Sequence, residues 1–227
     1  MNRYLLEIKK IKKIYQHKNK LVKIFDNINL KIKKGDLIAL VGPSGSGKST
    51  FLNMISLLEQ PTSGTIIFRN KNSKNLEENE KNEIRKNNIS MVFQDNNLLS
   101  DFTALENVAM PLMIRKEDQK KSYKKAERVL NDVNLSSRLN HFPDELSGGE
   151  QQRVAIARTI ISESDLILAD EPTGNLDHKT SQEIFSYFLK LKNLKKTIIF
   201  ATHNRELAKK ADYKLSILDG NIKRVNA

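Results

Sequence analysis

Three short stretches carry residue types at spacings that could do chemistry. Gly42-Pro43-Ser44-Gly45-Ser46-Gly47-Lys48-Ser49-Thr50 follows the apolar run Leu37–Val41 directly and opens a helical stretch from Phe51 to Leu58. Glycines at 42, 45 and 47 let backbone wrap closely around an anion, with main-chain N–H groups as donors. The helix start adds a field that favours negative charge. In this context Lys48 can reach the outer phosphates of a nucleotide, and the Ser49 hydroxyl can ligate Mg²⁺. The second stretch, Leu166-Ile167-Leu168-Ala169-Asp170-Glu171, is an apolar strand ending in two carboxylates. Successive strand side chains point to opposite faces, so the two acids have different tasks. Asp170 would help to hold Mg²⁺, through water, while Glu171 would polarise an attacking water. The third, Leu146-Ser147-Gly148-Gly149-Glu150, precedes a helical pattern through Val154, Ala157 and Ile161. Ser147 and Glu150 form a capping box. That box does not explain two glycines, which cost helix stability. Backbone N–H groups that must approach an anion would explain them, giving the chain two potential phosphate-binding helix starts.

The elements that position these residues follow from the hydrophobic pattern. Ile28, Leu30 and Ile32 alternate with polar residues as in a half-buried strand. Leu37–Val41 is apolar throughout, the pattern of a parallel strand buried on both faces. Similar runs recur at Ile89–Phe93, Leu166–Ala169 and Thr197–Ala201, separated by helical patterns such as Ile184, Phe188 and Leu191. This alternation argues an α/β fold. From about Asp95 to Ile161 the spacing suits helices and offers no strand, so a helical lobe inserted into the core is expected. Residues 70–88, rich in Asn, Lys and Glu, read as a surface loop with a short helix. Tyr213, Leu215 and Ile217, then Asp219-Gly220 and Ile222, read as a hairpin with an Asp-Gly turn.

Composition narrows the class. The chain has 227 residues, 38% apolar, enough for one sizeable core. Its apolar runs are far shorter than the ~20 residues of a spanning helix. The N-terminal Met1–Lys10 lacks the apolar segment of a signal peptide, and there is no cysteine for disulfides, thiolate metal sites or thiol nucleophiles. These facts suit a cytosolic address. The net charge of +12 invites a nucleic-acid partner. Scattered lysines instead suggest a solvated surface, and no nucleic acid is expected.

The Walker A stretch Gly42–Ser49, the Leu146–Glu150 signature and the Walker B stretch Leu166–Glu171, in this order, resemble an ABC-type ATPase over nearly the whole chain. The resemblance implies a P-loop NTPase (RecA-like) core over residues 1–94 and 162–227, with an N-terminal antiparallel β-subdomain, and a helical signature subdomain over 95–161. It implies ATP and Mg²⁺ as cofactors and ATP hydrolysis coupled to transport. Gln94 matches the family's Q-loop glutamine at Mg²⁺ and the lobe junction. Asn175-Leu176-Asp177 matches the D-loop, His203 the histidine that senses the γ-phosphate, and Tyr15 the aromatic that stacks on adenine. Two subunits would pair head to tail as a homodimer, with Ser147, Gly149 and Glu150 of one acting on nucleotide held by the other's loop. Integral membrane subunits would be further partners, placing the chain peripherally on the cytoplasmic face of a bacterial inner membrane.

The segment Asn97–Leu112, with His141–Leu146 and Leu168–Asp177, is similar to the ATPases of lipoprotein-releasing transporters. The Ala169–Asp177 string is shared with macrolide or peptide exporters and a cell-division ABC ATPase, which are the alternatives. Soluble DNA-repair ABC ATPases would use the positive charge, but the long coiled coil that interrupts them is missing. Two departures stand out. Asn204 follows His203 where related ATPases usually carry Asp, and the basic insertion around His17 to Lys23 lengthens the gap between Tyr15 and the loop.

Overall fold

A computed structural model describes residues 4–18 and 20–226. Met1–Arg3, Asn19 within the basic insertion, and Ala227 lie outside the described residues.

The two expected strand patterns sort into two sheets. A four-stranded antiparallel sheet holds β1 (Tyr4–His17), β2 (Lys20–Lys33), β4 (Ser63–Phe68) and β5 (Lys71–Asn72) in the order β2-β1-β4-β5. A six-stranded sheet runs β10-β9-β3-β8-β7-β6, from β10 (Asn221–Asn226), β9 (Tyr213–Leu218), β3 (Leu37–Val41), β8 (Thr197–Ala201), β7 (Leu166–Asp170) and β6 (Ile89–Val92). Its strands are parallel except for β10, which returns antiparallel through the expected Asp219-Gly220 turn, both residues at positive φ. The run β3 is apolar throughout because both faces of this sheet are covered. Leu37 and Ala39 enter one core with Ile198, Phe200 and the helices, while Ile38 and Leu40 enter another with Ile199 and the antiparallel sheet.

Three helices lie between β6 and β7: α3 (Ala104–Ile114), α4 (Gln119–Asp132) and α5 (Gly148–Ile161). The others are α1 (Lys48–Ile55), α2 (Glu78–Asn88), α6 (His178–Asn193) and α7 (Arg205–Ala208). On α6, Ile184, Phe188 and Leu191 are buried, as their spacing predicts. The 70–88 region holds the expected helix, α2, which runs for 11 residues, and in addition β5, which pairs with β4 where only loop was expected. Among the described residues, no helix is long and apolar enough to cross a membrane.

The β1–β2 hairpin departs from simple alternation. Phe25 and Ile28 both face the core because Asn27, at φ 55°, inserts a bulge between them. Gly64 is required where β4 approaches β1. Its φ is +88°, and a Cβ there would stand 2.3 Å from the Lys10 carbonyl oxygen. We therefore expect Gly64→Ala to destabilise the fold by roughly 1–3 kcal/mol. Its urea midpoint falls below the parent's, while folded protein binds nucleotide with parental affinity.

Candidate nucleotide site

Parallel strands end at one edge of their sheet, and that edge collects the chemistry. Beyond β3 come Gly42 to Gly47, beyond β7 Glu171, beyond β8 His203 and beyond β6 Gln94. Asp170 is the last residue of β7, opposite Ala201 of β8.

The loop itself is shaped by contacts that forbid side chains. A Cβ on Gly47, at φ +102°, would stand 2.5 Å from Ile24 and 2.9 Å from the Phe25 ring. At Gly42 it would stand 2.7 Å from the Ile217 carbonyl oxygen and the Ser46 hydroxyl. Phe25 in turn packs edge-on against Phe51 of α1, with ring centroids 6.1 Å apart, so the β-subdomain fixes the loop from below. The first intrahelical bond is donated by the Phe51 N–H to the Gly47 carbonyl. No side chain caps α1, and its first turn holds no acid. Every other α-helix begins with a capping side chain or capping box. The N–H groups of Lys48, Ser49 and Thr50 thus form an anion site that the chain leaves to a ligand.

Lys48, Glu171 and His203 meet above this loop. The Lys48 ammonium donates to the carbonyls of Gly42 at 3.2 Å and Pro43 at 3.3 Å, and lies 3.1 Å from His203 Nε2. An ammonium can only donate, so Nε2 accepts and the ring proton sits on Nδ1. The same Nε2 is 3.2 Å from Glu171 Oε1, but in this tautomer it has no proton to give. Oε1 is accordingly buried without a hydrogen-bond partner, while Oε2 accepts the His203 backbone N–H at 3.3 Å. Glu171 itself has φ 45°, a left-handed backbone costing about 1–3 kcal/mol in a non-glycine residue. Its N–H is tied to the Ala201 carbonyl at 3.1 Å. Strain and an unpaired buried oxygen coincide on the proposed base. Gln94, Ser44, Glu171 and His203 line one cleft of about 580 Å³.

Tyr15 reaches the same helix. Its hydroxyl bonds Glu59 and also lies against Thr50; burial first, then the Glu59 hydrogen bond, raise its pKa, while the Thr50 contact pulls the other way. The Lys13 ammonium covers one ring face at 4.7 Å from the centroid and pairs with Glu59 at 2.6 Å. The basic insertion does not displace Tyr15, because it is taken up in the tip of the β1–β2 hairpin, where Tyr15 pairs with Val22.

The signature residues stand apart. No hydrogen bond among the described residues joins Ser147–Glu150 to Gly42–Thr50. The Glu150 carboxylate is fully engaged inside its own lobe, accepting from the Ser147 N–H at 2.9 Å, the Ser147 hydroxyl at 2.8 Å and Arg138 Nε at 2.9 Å. Gly148, which the capping pattern passes over, has an ordinary backbone, and a Cβ added to it would meet nothing within 4 Å. A Cβ on Gly149 would meet Thr180 at 3.1 Å.

The family model described as "ABC transporter" matches residues 25–174. The chain belongs to the ABC transporter family. Within that family it is 47% identical to the lipoprotein-releasing system ATP-binding protein LolD of Rickettsia typhi, over 97% of this chain and 98% of the relative. It is 41% identical to an uncharacterized ABC transporter ATP-binding protein, MJ1508, of Methanocaldococcus jannaschii, over 96% and 97%. The dimeric structure of a post-hydrolysis state of the ATP-binding cassette MJ0796, bound to ADP and Pi, superposes with a TM-score of 0.92 at 36% identity, covering 97% of this chain and 98% of that one.

Several site features of this ABC chain escape its motifs. Asn204 carries no charge, but its Oδ1 accepts from the Glu206 and Leu207 N–H groups at 2.9 and 3.2 Å and caps α7. The amide therefore meets the capping need that an aspartate would meet. Lys13 is hidden in a lysine-rich strand, and Arg138 is separated from Glu150 by twelve residues. Arg138 first, then the Ser147 N–H, hold the Glu150 carboxyl at about 2, below its ordinary 4.5. A depressed carboxyl stabilises the fold above pH 4.5 and loses that contribution as pH falls towards 2. Comparing Arg138→Ala with the parent by urea unfolding, the stability gap should be widest above pH 4.5 and close as pH falls through this window.

Proposed function

We propose that the chain is the ATP-hydrolysing subunit of an ABC transporter that powers lipoprotein release, working as two copies that enclose nucleotide between them. The family match and the 47% identity to a lipoprotein-releasing ATP-binding protein support the activity and the cargo. The paired arrangement is carried by Gly148. Glycine is a poorer helix former than alanine, and among the described residues no packing contact calls for one at the first position of α5. A surface approaching from outside the chain does need it. The dimeric MJ0796 cassette supports a second copy as that surface.

The residues give each part of the cycle a holder. The N–H groups of Lys48, Ser49 and Thr50 at the uncapped start of α1 receive phosphate, and Lys48 has three donors now spent on Gly42, Pro43 and His203 that a phosphate can reclaim. The Tyr15 face opposite Lys13 is the one left for adenine. Ser49, Gln94 and Asp170 offer a hydroxyl, an amide and a carboxylate oxygen, a hard donor set that fits Mg²⁺ sharing its remaining positions with phosphate and water. Bound there, Mg²⁺ supplies neutralising charge. Glu171 Oε1 is free to take a proton from water, and His203 is placed to pass from Lys48 to the γ-phosphate. Ser147, Gly149 and Glu150 would serve the partner copy's nucleotide, Glu150 by holding Ser147 in place. Integral membrane subunits would complete the transporter and hold this chain at the cytoplasmic face of the inner membrane.

With Glu171→Gln, turnover should fall by at least about 100-fold, with ATP retained and dimers accumulating on light scattering. A variant that stays monomeric at saturating ATP would refute the paired arrangement. Lys48→Ala should lose ATP affinity in calorimetry. Introducing Gly148→Ala into the Glu171→Gln background should leave monomer folding and ATP binding intact but weaken dimerisation, because its cost appears only on contact.

A further inference from the structure

The backbone just after Gln94 is held in an unfavourable shape by a residue that the nucleotide chemistry does not use. Asn96 and Asn97 have φ values of 60° and 45°. Two successive non-glycine residues in the left-handed region are costly, since L-residues visit it singly. The turn is closed by the Asn96 N–H on the Phe93 carbonyl at 3.2 Å and the Asn97 N–H on the Asp95 carbonyl at 2.6 Å. Both asparagine carbonyls are then gripped by one guanidinium. Arg158 Nη2 donates to the Asn96 oxygen at 2.9 Å, and Nη1 donates to the Asn97 oxygen at 3.0 Å. A planar fork that meets two carbonyls fixes orientation as well as distance.

Arg158 belongs to α5, the helix whose first residues follow Ser147. Eleven residues separate Ser147 from Arg158, roughly 16 Å along the helix at ~1.5 Å per residue. Around it Val154 to Ala157 and Thr159 are buried, so α5 is anchored along this length. Further on, the loop is held by another helix. Asn107 of α3, fully buried, accepts the Leu99 N–H at 2.9 Å and shares its two amide hydrogens among the carbonyls of Leu99, Phe102 and Thr103 at 3.0, 2.8 and 3.1 Å. The stretch from 96 to 103 therefore has two separate fasteners, and the one beside Gln94 comes from the signature helix.

We propose that Arg158 is a positioning residue that locks the Gln94 turn to α5, so that Gln94 and the Ser147–Glu150 segment move as one body. This rests on the reading of Gln94 as a Mg²⁺ ligand. It gives a single rigid element both a hand on one nucleotide's metal and the surface offered to the other copy's nucleotide. Loss of the fork frees Gln94 without touching the phosphate loop.

The test measures ATPase activity of the full-length chain against Mg²⁺ concentration at saturating ATP. Arg158→Lys keeps the charge and the stem but not the fork. It should raise the Mg²⁺ needed for half-maximal activity roughly tenfold, as loss of an outer contact to a metal ligand does. ATP affinity measured without Mg²⁺ should stay within about twofold of the parent, because the phosphate loop is untouched. Adding Asn97→Gly to Arg158→Lys should return the Mg²⁺ requirement towards the parent, since glycine takes positive φ without strain and the turn no longer needs its clamp. Arg158→Gln, which keeps one donor group, stands in if the lysine variant does not fold. Gln94→Ala is the control: if it leaves the Mg²⁺ requirement unchanged, the reading of Gln94 fails. If Gln94→Ala raises the requirement and Arg158→Lys does not, the inference about Arg158 alone is overturned. It is equally overturned if the lysine variant loses activity in step with thermal stability, at unchanged Mg²⁺ requirement and without rescue by Asn97→Gly.

Discussion

The parallel register of β3, β8, β7 and β6 is the constraint on which the rest of this molecule depends. Leu40 pairs with Ala201, Ala201 with Asp170, and Ala169 with Val92. Four carboxyl ends are therefore level, and the loops leaving them converge without long excursions. One ladder of backbone hydrogen bonds thus sets the spacing between the Gly42–Gly47 loop, Glu171, His203 and Gln94. A slip by one residue in any strand would exchange the two cores as well as dismantle the site, because Leu37 and Ile38 face opposite sides. Burial of both faces consequently protects the chemistry.

Much of this was legible in the residues. The unbroken apolar runs at Leu37–Val41, Leu166–Ala169 and Thr197–Ala201 announce strands covered on both sides, and they are. The Asp219-Gly220 turn and the helical face of Ile184, Phe188 and Leu191 were equally plain. The β1 strand was not, because Lys9, Lys10, Lys12 and Lys13 break its alternation and a bulge at Lys10, with φ 51°, shifts its register. A bulge moves side chains to the other face without leaving a mark in composition.

The site divides along the same line. Residues whose role depends on neighbours in sequence, such as the loop glycines or the Ser147–Glu150 box, declare themselves. Residues whose role depends on distant packing do not. Arg138, Lys13, Asn107 and Arg158 all look like ordinary surface or helical residues in the chain. Their partners lie 12, 46, 8 and 61 positions away or are backbone carbonyls, which have no letter in a sequence. Gly148 is a different case. The sequence shows it, but only the open space where its Cβ would stand shows that no packing within the described residues requires a glycine there.

The uncapped start of α1 has a thermodynamic side as well. Every other α-helix carries its own cap, so their stability is a fixed property of the chain. That of α1 is borrowed from whatever anion sits on Lys48, Ser49 and Thr50. Ligand that binds only the folded state adds RT ln(1 + [L]/Kd) to its stability, about 2.7 kcal/mol at a hundredfold excess over Kd. Each round of nucleotide loading and release is therefore also a round of tightening and loosening. It is felt first at Phe51, and through its contact with Phe25 in the β-subdomain, so the resting protein is at its softest when its site is vacant.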